Sequence, residues 1–78
     1  MSELQYATVR RLMKNSGAKR VSEDAVYELI KIMEAYATKV TSTAAKIAEN
    51  SGGRTTVMRE DIRISAKEIH GVIGERTA

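Results

Sequence analysis

The chain has 78 residues, 42% of them hydrophobic, and a formal net charge of +3. With no cysteine it can form neither disulfides nor thiolate metal sites, and a reducing interior is expected. No apolar run approaches the ~20 residues needed to span a bilayer, and the polar start carries no signal-peptide pattern.

Proline, phenylalanine and tryptophan are also absent, so helices run unbroken and any core must come from aliphatic residues and three tyrosines. This length predicts one domain, residues 1–78, near the lower limit for a self-sufficient core. Charge is unevenly spread: residues 1–20 hold five bases against one acid, 21–53 three against five, and 54–78 five against four. That asymmetry points to a polyanion touching particular surfaces.

In chain order, apolar spacing predicts a first helix over about 5–15. Tyr6, Val9, Leu12 and Met13 form its stripe, with Arg10, Arg11 and Lys14 alongside and Gly17 as the stop. Ser22 is a good N-cap, and Glu23 and Asp24 suit the first turn of a second helix over 22–50. Val26, Leu29, Met33, Tyr36, Val40 and Ile47 recur at helical spacing, with polar Thr43 in the same series, until Gly52 and Gly53 end it. Such a helix is roughly 42 Å long at ~1.5 Å per residue. A compact ball of this size is only about 30 Å across. Two short flanking helices cannot cover the excess, so a second copy crossing the first is expected: an obligate dimer. A third helix is predicted over 59–73 with Ile62, Ala66, Ile69 and Ile73 inward, followed by a short polar tail, 74–78. Ile64 lies about 200° from Ile62 and off that stripe.

Two segments echo each other: NSGAKRVSEDAV (Asn15–Val26) and NSGGRTTVMREDI (Asn50–Ile62). Each runs Asn-Ser-Gly, a basic residue, a β-branched residue, then an acidic helix start. β-Branched Val21, Thr55, Thr56 and Val57 favour brief extended segments at Lys19–Val21 and Arg54–Val57. Strands this short need partners. Crossing two central helices head to tail would set the first loop of one copy beside the second loop of the other.

Catalytic signatures are missing. There is no Ser–His–Asp set, P-loop or dinucleotide fingerprint, and adjacent Glu60 and Asp61 point about 100° apart on a helix, a poor acid–base pair. His70 lacks companions for a metal site and reads as a surface histidine. No enzyme activity, cofactor, metal or small-molecule substrate is expected. Met13, Met33 and Met58 read as core fillers. Tyr27 either hydrogen-bonds or packs at a dimer surface.

From about Glu3 to Ile69 the chain resembles the archaeal histones of the histone-fold family. The specific stretches are ATVRRLMKNSGAKRVSEDAV (Ala7–Val26) and GRTTVMREDI (Gly53–Ile62). The latter contains the family's Arg-x-Thr-Val-x-x-x-Asp signature as Arg54, Thr56, Val57 and Asp61. The resemblance implies an all-α histone fold, with a short, a long and a short helix joined by two short β-like loops, closed as a handshake homodimer. It implies an architectural chromatin protein, chromosome-associated in the cytoplasm. Its partners would be double-stranded DNA and itself, with higher oligomers on DNA and no membrane. Duplex would be bound through backbone and minor-groove contacts with little sequence specificity, then wrapped or compacted.

By position, Arg11 corresponds to an arginine entering the minor groove, Arg20 to the first-loop arginine and Thr56 to the second-loop threonine. Arg54 and Asp61 correspond to a structural ion pair, and Gly17 to a small residue where dimers stack. The implied DNA-contact set is Arg10, Arg11, Lys14, Lys19, Arg20, Arg54, Thr55 and Thr56. The implied dimer–dimer interface is Ile47, Asn50, Asp61 and Ile64. Departures occur at Gln5 and Thr8, where many relatives have prolines, and at Thr55, where lysine is common. Asn50 stands where many have histidine, and Gly52-Gly53 lengthens the second loop. Two alternatives stay open: Arg10, Arg11 and Lys14 as an ordinary solvated face, and a histone-fold heterodimerisation subunit of a transcription-related complex.

Overall fold

Capping chemistry sets the ends of three helices in the computed structural model, which describes residues 3–70. These are α1 (Glu3–Asn15), α2 (Glu23–Asn50) and α3 (Arg59–His70). α1 stops where Gly17 takes φ +119°, a left-handed conformation that residues with a Cβ rarely adopt. The closing bonds run from Ala18 N to Met13 O (3.2 Å) and from Gly17 N to Lys14 O (3.1 Å). This is a Schellman cap, which satisfies carbonyls the last turn would otherwise orphan. Ser22 opens α2: its Oγ accepts from Ala25 N at 3.1 Å, with Glu23 and Asp24 in the first turn.

The end of α2 is a larger version of the first cap. Gly52 and Gly53 both have positive φ, 101° and 72°. Closure reaches from Gly53 N to Glu49 O (2.8 Å) and from Arg54 N to Ala48 O (3.2 Å). The extra glycine widens the ring by one residue relative to the Ala18–Met13 bond.

The chain divides into two compact units, Met1–Ala35 and Tyr36–Ala78, and α2 belongs to both. In the first, Val9 of α1 meets Val26 and Ile30 of α2, with Tyr6, Met13, Val21 and Leu29 packed around them. In the second, Val40, Ala44 and Ala48 are buried on successive turns of α2, and Asp61 and Ser65 are the buried residues of α3. Ser65 Oγ donates to Val40 O at 2.8 Å, so the hydroxyl is satisfied although fully buried.

Several expectations need correction. Lys19–Val21 and Arg54–Val57 are irregular in the single chain, which holds no partner strand for either among the described residues; this leaves their expected pairing across two copies untouched. A two- or three-residue strand without a neighbour has nothing to bond to. α1 begins two residues before the expected Gln5, while Ser22 is the N-cap its sequence position announced, so α2 starts at Glu23. The expected continuation of the third helix to Ile73, and the tail 74–78, lie outside the described residues. On α3 the inward positions are Asp61 and Ser65, whereas Ile62 is 37% exposed. In the single chain Leu12 and Met58 are exposed rather than core residues, Met33 is exposed on the stripe a second copy was expected to cover, and Ile30, Ala44 and Ala48 occupy the core.

The middle of α2 is bare. Residues 31–39 are all exposed, although Ile32, Met33 and Tyr36 lie among them. At ~100° per residue these three share one face of the helix with half-buried Leu29 and buried Val40. An apolar stripe covered at its ends and open at its centre is incomplete for one chain in water.

Candidate nucleic-acid interface

Basic side chains gather first on α1. Arg10, Arg11 and Lys14 are exposed and line a shallow groove with Tyr6, Ala7 and Asn15. The groove lies between two ridges of the same helix, Tyr6–Arg10–Lys14 and Ala7–Arg11–Asn15, each with four-residue spacing. Lys19 and Arg20 follow in the α1–α2 loop, also exposed. None of these five cations is held in an ion pair among the described residues. Gly17, in the same loop, has open space where a Cβ would point.

The α2–α3 loop is built differently, around one carboxylate. Asp61 occupies the third position of α3, from which Oδ2 reaches back to accept Met58 N at 2.8 Å. That is the acid half of a capping box. Arg54 grips the same carboxylate through two parallel bonds, Nη1–Oδ2 and Nη2–Oδ1, both 2.9 Å. Arg54 Nη1 also donates to Thr56 O at 3.2 Å, pulling the loop against the helix start. The Asp61 side chain is 3% exposed and that of Arg54 36%. Hydrogen bonding from Arg54, then from the Met58 amide, holds the Asp61 carboxyl at about 2, against burial that pushes the other way. The same pair raises the pKa of Arg54. Thr55 and Thr56 remain exposed beside this clamp.

Of the remaining expected site residues, Ile47 is half-buried, Asn50 is exposed and Ile64 is 40% exposed. Asp61 is buried with both oxygens engaged by its own chain. Among the described residues no group of acids and histidines is arranged to hold a metal ion, and no helix is long and apolar enough to cross a membrane.

The sequence that builds these helices, the exposed bases of α1 and the Arg–Asp clamp matches a known family. A family model described as histone-like transcription factor (CBF/NF-Y) and archaeal histone matches residues 2–65. The chain belongs to this family. It is also 43% identical over 67 residues to a HAN1 archaeal histone from Thermococcus zilligii, covering 86% of this chain and 98% of that protein. Its three-helix architecture is the all-α histone fold.

Some features of this histone-fold chain go beyond the sequence expectations. Serine carries no apolar signal, yet the Ser65 hydroxyl ties α3 to α2. His70 is half-buried rather than free at the surface: Nε2 lies 2.6 Å from Tyr36 Oη, with ring centroids 4.9 Å apart. Arg59, Arg63 and Lys67 form an exposed basic ridge on α3 at four-residue spacing, with Arg63 loosely paired to Glu60 at 3.8 Å. Their spacing alone could have flagged them.

Proposed function

We propose that this chain is a single-domain architectural chromatin protein that pairs as a handshake homodimer, binds duplex DNA with little sequence preference and wraps or compacts it. The observation that carries this reading is the bare centre of α2 in a chain whose α1 exposes Arg10, Arg11 and Lys14. Two copies crossing at Ile32, Met33 and Tyr36 would cover each other's stripe, and each α1 would remain free to meet DNA. The two irregular loops would then find the partners that neither has alone.

On that surface Arg11 enters the minor groove, where weak hydration of the guanidinium and the negative groove potential favour arginine. Arg10, Lys14, Lys19 and Arg20 neutralise phosphates, while Thr55 and Thr56 hydrogen-bond to the backbone. Arg54 acts through the Asp61 clamp, holding the second loop in place for those contacts. Backbone contact plus deformability gives binding without base readout. Ile47, Asn50 and Ile64 are the proposed dimer–dimer contacts, with buried Asp61 offering only a remaining lone pair, and the open space over Gly17 is the proposed stacking position.

A second reading has a specific support: the Thermococcus zilligii relative is named as one subunit of HAN1, and the matched family includes transcription factors. In that reading the bare stripe takes a different histone-fold chain. Sedimentation of the purified chain with and without random duplex separates the two. A self-dimer that shifts duplex, with affinity falling as salt rises, supports the first reading. A monomer or aggregate that becomes soluble and active only with a second chain overturns it.

A further inference from the structure

Tyr6 stands beside the α1 bases and Tyr27 stands against Tyr6, and duplex binding gives neither a role. Tyr6 lines the groove with Arg10, Arg11 and Lys14 and is also packed against the Val9–Val26–Ile30 core. Tyr27 of α2 lies against it, with centroids 5.1 Å apart and ring planes tilted by 48°. Core packing fixes Tyr6, while Tyr27 is 44% exposed. An aromatic surface held rigid next to several cations has the two components that capture single-stranded nucleic acid: a face for the base and charge for the backbone.

We propose that the α1 groove binds an unpaired nucleobase with its flanking phosphates, the base stacking on the Tyr6–Tyr27 pair and the phosphates lying on Arg10, Arg11 and Lys14. Tyr6, Arg10 and Lys14 follow one ridge at ~6 Å per step, so the strand runs along α1. Ala7, small and in the same groove, leaves room for the base. Glu23 and Asp24, one turn before Tyr27, repel phosphate and keep the backbone on the α1 side. Adenine, thymine and uracil all present a π-face, so the site takes single strands with little base preference. It shares its cations with the proposed duplex surface, and the two ligands compete.

The test uses the full chain and labelled short oligothymidine, oligouridine and an abasic strand of equal length and charge. Both base-bearing strands should bind roughly five- to hundredfold more tightly than the abasic one. Tyr27→Ala should reduce them to the abasic level while duplex affinity stays unchanged. Tyr6→Leu should also reduce base-dependent binding, and because Tyr6 touches the core its circular dichroism is checked first; exposed Tyr27, outside the groove lining, carries the comparison with duplex. Preference for uridine or for thymidine assigns the natural strand as RNA or DNA. Equal affinity for base-bearing and abasic strands, or a base dependence that survives Tyr27→Ala, overturns the proposal. Duplex binding by the same sample shows that the failure belongs to this site alone, whereas loss of duplex binding by the unaltered chain overturns the chromatin reading.

Discussion

Ile32→Ala tests the crossing of two α2 helices most cleanly, because alanine raises helix propensity and any loss must come from association. Ile32 is 56% exposed in the single chain. Full burial of such a side chain is worth ~1.5–3 kcal/mol. Covering its exposed share therefore contributes about 1–1.5 kcal/mol, and a symmetric dimer contains the residue twice. The substitution should weaken association by about 2–3 kcal/mol, or roughly 30- to 150-fold in Kd. Sedimentation equilibrium over a concentration series reads this directly. The apparent midpoint of thermal unfolding should also fall at a fixed protein concentration, because folding and pairing are linked. Thr38→Ala, on another face of the same helix, is the control and should leave Kd unchanged. Identical association constants for Ile32→Ala and the unaltered chain would remove the bare stripe from the interface and with it the proposed dimer.

The other predictions concern the clamp, the cap and the DNA face. Asp61 has a folded pKa of about 2 against an ordinary 3.8. Its stabilising effect is present above the ordinary value and is lost as pH falls through the folded one. Acid unfolding between about pH 4 and 2 should flatten in Asp61→Asn, and an unchanged acid limb would show that other carboxylates dominate. Ser22→Ala, which removes the Oγ bond to Ala25 N, should cost about 1 kcal/mol of stability, read from urea unfolding; a change below a few tenths would mean the cap is replaced locally. Arg11→Ala should reduce DNA bending, measured by end-to-end fluorescence transfer, more than Lys39→Ala on the central helix. Equal losses would put DNA on the wrong face.

What the sequence revealed was what neighbouring residues decide for themselves. Ser22 with two following acids, and Asn-Ser-Gly before each loop, announce helix ends that need no other part of the molecule. The hidden parts depend on packing across elements. Ala44 and Ala48 look neutral in a stripe dominated by Val40 and Ile47, but small side chains are the ones buried on those turns. Met33 and Tyr36 fit the apolar period, and the period cannot say that their cover is absent from the single chain. Asp61 carries an acidic label that suggests exposure; only its two partners, Arg54 and Met58 N, make a buried position tolerable. Likewise the β-branched loop residues favour extension, but the pairing that a strand needs is one that a single chain does not contain.

The two echoing loops also differ in what they can give to DNA, and that difference sets a measurable limit. In the first, the tight Ala18–Met13 closure leaves Lys19 and Arg20 exposed. In the second, one added glycine is followed by an arginine whose guanidinium is spent on Asp61 and on Thr56 O. The second loop therefore offers hydroxyls, from Thr55 and Thr56, where the first offers charge. Counting only Arg10, Arg11, Lys14, Lys19 and Arg20, each phosphate neutralised lowers the log–log salt slope by ~0.9, which limits it to about −4.5 per chain and −9 per dimer. Arg54→Gln should leave that slope almost unchanged, because its charge does not face phosphate, yet weaken binding by releasing the loop. A slope well beyond −9, or one that falls by a full unit per chain in Arg54→Gln, would mean that the clamp opens on DNA and the guanidinium leaves Asp61 for the phosphate backbone.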